Sequence, residues 1–413
     1  MTYIKTSPAA RAFSPSRRAG FIAVLSLATL SLAASCASYD AHDAASALDD
    51  ALLAAVRDDG DVRHAAMWVD APRHGIDHGF AHGVADAESA RAMTVDTPFF
   101  AASTGKLFVA AAILSFVDEG ALSLDDAVSE RVPLASFAGL PVTGGDDALA
   151  RVTIRQLLAH RSGLPDYFSG TSHDGAPNVF ALLVDNPARV WTRDDLFAYT
   201  RAHFAPIGAP GERFHYADTN YDLLGLVLEV LGGAPFHQVV RARVVDPLGL
   251  RHTWYHAFES PPDDTPPLAD VFVDDANLKG AAALSADQAG GGLATTAGDL
   301  RLFVRALARK DAEKGSVLDR LATEFTDDAM HAGIDVGLCA WRIRPGGIFF
   351  ALGGLPVLVG HSGATGVWAY YVPEHDAVLT GAVSQARWQE KHIEFLLSEV
   401  LPVLARTSLV DER

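Results

Sequence analysis

Cysteine is nearly absent: the 413 residues include two, Cys36 and Cys339. Cys36 falls in an N-terminal segment with the marks of an export signal. A body built without that segment has one thiol and no internal disulfide. Its stability has to come from a large apolar core, which a chain of this length can bury. Cys339 stands in Gly337-Leu338-Cys339-Ala340-Trp341, an apolar setting that suits a buried structural thiol better than a nucleophile. Basic charge is also scarce, with 33 Lys and Arg against 51 Asp and Glu and a formal net charge of −18. Such an acidic body repels phosphate backbones, which argues against a nucleic-acid partner. Two catalytic signatures are missing as well. His74, His78 and His82, and likewise His252 and His256, are spaced by four, but no Glu completes a His-Glu-x-x-His frame. The interleaved Gly75, Gly79 and Gly83 suit turns and strands, not a zinc-binding helix, so no metal or cofactor is expected. Gly360-His361-Ser362-Gly363-Ala364 fails the nucleophile-elbow frame because its last Gly comes one place early.

What remains is an ordinary globular composition, 49% apolar and 20% charged, long enough for two or three domains. Arg11, Arg17 and Arg18 precede an apolar run, Phe21 to Ala34, that falls short of the ~20 residues a membrane-spanning helix needs. A basic start, an apolar stretch and a small-residue exit form a signal peptide. The exit, Leu32-Ala33-Ala34-Ser35-Cys36, resembles a lipoprotein signal, with Cys36 as the lipidated residue, although Leu32 sits one place early. Cleavage after Ala37 fits too, so a lipid-anchored and a plainly secreted form both stand as expectations. The expected location is the periplasm or cell envelope, or outside the cell.

Beyond this segment the pattern is mixed. Ala65 to Val69 reads as a strand. From Ser103 to Glu119 the apolar residues recur at helical spacing and stop at Gly120. Residues 121–290 read as mostly helical with Pro/Gly-rich loops, Thr153 being the cap of a helix entry. Tyr221 to Leu231 is an apolar helix closed by Gly232-Gly233, and Asp299 to Leu307 is another. After 333 strands dominate: Val336–Ile343, Ile348–Leu352, Val357–His361, Gly366–Val372 and Ala377–Ser384. A last helix follows from about Glu390 to Leu404. Strands at both ends and helices between predict an α/β + α fold. In it, an antiparallel sheet flanked by helices is built from both chain ends, with a mainly helical domain inserted. The expected segments are 1–36, an export signal with a lipoprotein-like exit; 37–107, the N-terminal part of the α/β domain; 108–289, the helical insertion; and 290–413, the C-terminal part of the α/β domain.

The chemistry centres on Thr97-Pro98-Phe99-Phe100-Ala101-Ala102-Ser103-Thr104-Gly105-Lys106. A Ser three residues before a Lys at a helix start puts both on one face. Free N–H groups and the positive dipole end lie there, where an attacking oxygen and a developing oxyanion need positive potential. Lys106 acts as a base if desolvated and neutral, or electrostatically if charged. By itself a Ser-x-x-Lys is common, and an N-cap Ser with a surface Lys is the bland alternative.

The surroundings strengthen it. Asp96-Thr97-Pro98-Phe99 leading into Ser103-Thr104-Gly105-Lys106, the Gly120-to-Asp126 turn, Thr153-to-Pro165, Phe214-to-Tyr221, Gly290-Gly291-Gly292-Leu293 and Gly360-His361-Ser362-Gly363 occur in order. Together they resemble the serine β-lactamase, DD-peptidase and family VIII esterase superfamily. The resemblance implies a β-lactamase/transpeptidase-like fold with Ser103, Lys106 and Tyr216 as catalytic residues. It implies an oxyanion hole from the backbone N–H groups of Ser103 and Ala364. It also places Asp218, Asn220, His361, Ser362 and Gly363 at substrate-binding positions. Asp218 stands where relatives carry Asn, and an acid there would pair with Lys106 and weaken it as a base. His160 and Ser162 read as packing around a turn. The expected function is hydrolysis of an ester or a D-amino-acid peptide or amide through an acyl-enzyme on Ser103. β-Lactam hydrolysis ranks lower: no general-base Glu is evident, and His361 replaces the Lys of the third motif. A non-catalytic penicillin-binding-like sensor is the alternative from another class. The expected partner is a small-molecule or peptide substrate, with membrane attachment through Cys36 if that residue is lipidated.

Overall fold

The computed structural model describes residues 38–410, so the segment expected to be an export signal, Cys36 included, lies outside the described residues. The chain opens with helix α1, Ala41–Asp58, capped by Asp40 through the N–H of Asp43 at 2.8 Å. Strands β1 (His64–Ala71), β2 (Ile76–Asp86) and β3 (Arg91–Ala92) follow. Gly75, at φ 68°, makes the left-handed turn between the first two.

The middle of the chain is helical. Helix α2 is Lys106–Asp118, α3 is Ile154–Leu158, α4 is Thr219–Gly232 and α5 is Ala297–Ala308. Gly120 and Gly233 stop α2 and α4 at φ 72° and 66°. Thr153 caps α3 in a full capping box with Gln156. The remaining strands of the main sheet are β4 (Thr326–His331), β5 (Ile334–Val336), β6 (Trp341–Ile343), β7 (Leu358–Gly363), β8 (Val367–Val372) and β9 (Ala377–Ala382). A helical run over Lys391–Phe395, Leu396–Val400 and Leu401–Arg406 closes the chain.

The nine strands form one antiparallel sheet in the order β3-β2-β1-β9-β8-β7-β6-β5-β4. The N-terminal hairpin joins the C-terminal strands through β1 and β9, with Ala66 opposite Ala382 and Asp70 opposite Val378. Both faces are covered, and the two-residue period sorts side chains between two cores. Met67, Val69, Trp368, Tyr370 and Leu379 pack under α1 and the C-terminal helices. Ala66, Val367, Ala369, Val378 and Ala382 pack toward α5 and the helical region. Phe108 of α2 stacks on Phe303 of α5 at 3.7 Å, tying the buried α2 to the sheet side.

Two strand expectations need correction. The stretch Val336–Ile343 is not one strand: it breaks into β5 and β6 around a turn in which Cys339 takes φ 98°. Ile348–Leu352 is helical, as parts of Pro345–Ile348 and Phe350–Leu352. Pro345 at a first helical position and the adjoining Gly346-Gly347 favour that turn over an extended strand.

Candidate active site

Ser103 sits on a 3₁₀ turn, Ala102–Gly105, that runs into α2. Ala102 takes φ 47°, a left-handed value that a non-glycine residue adopts at a cost. Gly291 packs directly behind it: a Cβ there would lie 2.5 Å from the Ala102 carbonyl oxygen and 3.0 Å from the Ser103 nitrogen. Gly363, at the end of β7, presses from the sheet side, where a Cβ would meet the Ala101 oxygen at 2.7 Å. Its bare Cα lets the edge of β7 approach the nucleophile's turn.

Lys106 is fully buried, while Ser103 remains half-exposed. Its Nζ donates to Ser103 Oγ at 3.1 Å, to Gly290 O at 2.7 Å and to a carboxylate oxygen of Asp218. Three acceptors for three protons describe an ammonium. Burial alone would lower the Lys106 pKa, but the Asp218 carboxylate hydrogen-bonded to Nζ leads the effects that override it, and the net shift is upward. Burial pushes the Asp218 carboxyl up and Lys106 pulls it back. Asp218 is thus the partner of Lys106, the pairing expected of an acid at this position.

Tyr216 lies beside this pair, with Lys106 Nζ 5.1 Å from its ring centroid. Its hydroxyl is buried and makes no hydrogen bond of regular geometry, yet Ser103 and Lys106 are close enough to favour its ionised form. Burial outweighs them and raises the phenol's pKa, so the resting group is a neutral phenol rather than a phenolate. His160, at φ 53°, stacks on the Tyr216 ring at 4.2 Å and accepts the Ala217 N–H at 3.1 Å through Nδ1. The His160 carbonyl takes the His215 N–H at 2.8 Å. The His160 turn therefore positions the Tyr216 loop, a role the sequence motif did not reveal.

Three further expectations change. Asn220 is buried, and its amide is spent on Ser162 Oγ at 2.5 Å and His160 Nδ1 at 3.1 Å. Ser362 points to the other face of β7, as strand alternation requires. There its hydroxyl bonds Tyr370 at 2.5 Å and His392 Nε2 at 2.6 Å. His361 does face the site, but it is buried between Trp341 and Tyr216, with ring centroids at 4.7 and 6.3 Å. Its Nδ1 bonds the Ser362 carbonyl at 2.6 Å. Burial, helped by the Lys106 charge, lowers its pKa to about 3. A neutral, covered imidazole offers no charge to a carboxylate. Cys339, near Tyr221, is a buried thiol pushed up to about 12, mainly by burial.

Ser103 opens onto a small apolar pocket walled by Phe100, Phe168, Phe180, Leu183, Val271 and Leu278. Ala364 and Thr365 line it from the sheet side, and Asp287 is its one ionisable wall residue. No group of His, Cys, Asp or Glu among the described residues is arranged to hold a metal ion.

A serine and a buried lysine lie one turn apart at the foot of a helix, set against a sheet edge. The chain belongs to the Beta-lactamase family, whose sequence model matches residues 43–396. It is 35% identical over 217 residues to esterase EstB of Burkholderia gladioli, covering 52% of each chain. It is 32% identical over 174 residues to protein flp of Staphylococcus aureus strain MW2, covering 42% of this chain and 31% of that one. The chain thus spans about a third to a half of the length of these relatives. In structure it resembles the D-amino acid amidase of Ochrobactrum anthropi SV3 in complex with D-phenylalanine. The TM-score is 0.70 at 21% identity, covering 88% of this chain and 98% of that one, a likeness of fold.

Proposed function

We propose that the protein hydrolyses esters or amides with an apolar acyl group through an acyl-enzyme on Ser103. The observation that carries this reading is the contact of Ser103 Oγ with the sealed Lys106 at the mouth of an apolar pocket. The ester and amide chemistry in the names of EstB and the D-amino acid amidase supports it.

The charges suggest how the proton moves. Ser103 passes its proton to Nζ as Lys106 hands one to Asp218, whose burial raises its affinity for a proton. The freed Oγ bonds to the acyl carbon, and the oxyanion turns toward the backbone N–H groups of Ser103 and Ala364. Tyr216, held as a phenol, gives its proton to the leaving oxygen or nitrogen as that bond breaks, and Asp218 returns one through Lys106. Water then releases the acyl group by the reverse sequence.

Carboxylate-bearing lactams and D-Ala-D-Ala peptides fit less well, because no Lys or Arg is among the pocket walls and His361 is neutral. The test is a panel of short p-nitrophenyl esters, a chromogenic cephalosporin and a D-Ala-D-Ala peptide, each with wild type and Ser103→Ala. Ester turnover should lead and vanish in Ser103→Ala. A cephalosporin turned over faster than every ester would overturn the reading.

A further inference from the structure

The wall of the pocket holds one feature that apolar acyl binding does not use. Asp287 is 7% exposed and lines the pocket together with Ser103. Among the described residues its carboxylate has no hydrogen-bond or ion-pair partner. The neighbouring acids are each engaged. Asp218 holds Lys106. Asp166 takes the N–H groups of Phe168, Ser169 and Asp218 and the Ser169 hydroxyl. Asp222 takes the Tyr167 hydroxyl at 2.7 Å. Burial, with the neighbouring acids, raises the Asp287 carboxyl to about 7, and a cationic group brought beside it would favour its ionised form.

The backbone is built to hold Asp287 there. The next residue, Gln288, takes φ 30° and ψ −131°, a conformation seldom seen outside glycine. Its side chain is stapled by Nε2 to Trp191 O at 3.0 Å and Ser285 O at 2.7 Å. Trp191 N in turn donates to Ser285 Oγ at 2.8 Å. Asp287 stands on the pocket wall next to this turn, and Gly290 and Gly291, just beyond, hold Lys106 and the Ser103 turn.

The local charge points to the ligand's sign. Lys106 is the cation that acts on Asp287, and its three N–H groups are already spent. Asp218 and Asp287 act on it, and Asp166 acts on both of these acids. An incoming carboxylate meets repulsion, and an incoming ammonium meets attraction.

We propose that Asp287 is a specificity residue that binds a protonated amine on the substrate, so that the preferred acyl group is apolar and carries an ammonium, as in aminoacyl esters and amides. This rests on the acyl-hydrolase reading above and narrows its substrate class. The experiment uses the full chain and a fluorophosphonate probe of Ser103. Phenethylamine and 3-phenylpropionate, alike in ring and opposite in charge, compete with labelling in wild type and in Asp287→Asn. The amine should protect wild type at a concentration lower by about tenfold or more, as a charge-assisted bond allows. That preference should collapse in Asp287→Asn. Equal or better protection by the carboxylate in wild type overturns the proposal even if the variant does not fold. Retained amine preference in a folded Asp287→Asn overturns it too, and an accumulating acyl-enzyme there would move Asp287 to deacylation. Absence of Ser103 labelling would instead sink the hydrolase reading, and calorimetric titration with phenethylamine and 3-phenylpropionate still decides the role of Asp287.

Discussion

Replacing Asp218 with Asn keeps the side-chain shape and removes one charge from a fully buried ammonium. Lys106 then keeps Ser103 Oγ and Gly290 O, both neutral acceptors, at 3.1 and 2.7 Å. Breaking one partner of a buried pair typically costs about 3–5 kcal/mol, most of it the uncompensated charge. With the carboxylate gone, burial dominates and pushes the Lys106 pKa down, reversing its present direction. The sign of the pH dependence follows. In wild type the raised pKa contributes stability below the ordinary Lys range, lost only as pH rises through the folded value. In Asp218→Asn the lowered pKa costs stability at neutral pH, and the deficit shrinks as pH rises toward ~10.4, the free Lys value. Urea melts at neutral and at alkaline pH measure that deficit. The rate of Ser103 labelling by a fluorophosphonate, followed over the same range, should gain an ascending limb in Asp218→Asn that wild type lacks. Equal stability at neutral pH together with an unchanged labelling profile would refute the idea that Asp218 holds Lys106 charged.

Other outcomes follow from the same geometry. Ser103→Ala should abolish fluorophosphonate labelling, and Lys106→Ala should lower turnover by on the order of 10³-fold or more, as expected for members of one catalytic unit. Ser362→Ala should keep Ser103 labelling yet lower the unfolding midpoint, because it strands Tyr370 and His392 at a cost of about 1–3 kcal/mol. Gly291→Ala, whose new Cβ would lie 2.5 Å from Ala102 O, should slow labelling by distorting the Ser103 turn. His64, His361 and His392 are buried with pKa values lowered to about 4, 3 and 4. Their neutral forms therefore support the fold above ~6.5, the free His value, and urea midpoints should fall as pH drops below it toward those folded values. Activity should show no His361 limb in the neutral range, and a limb abolished by His361→Gln would contradict its burial.

The linear sequence by itself determined the sheet from two chain ends and the motifs that carry Ser103, Lys106 and Tyr216. These are local signals: apolar period, glycine stops, and a Ser and Lys spaced by one helical turn. It misplaced Ile348–Leu352 and fused two strands at Cys339, because short apolar runs have no period of their own and tertiary packing decides them. The partners within the site were not legible either. Whether Ser362 or His361 faced the cleft depended on strand register, since one residue's step changes the face. Asp218 became the counter-ion of Lys106 and Asn220 a strut for His160 because residues distant in the chain converge there. The strained turn at Gln288, which leaves the Asp287 carboxylate without a partner in an apolar wall, exists only in the folded chain. Spacing reports which groups share a helix face, but charge and accessibility depend on what the rest of the fold packs against them.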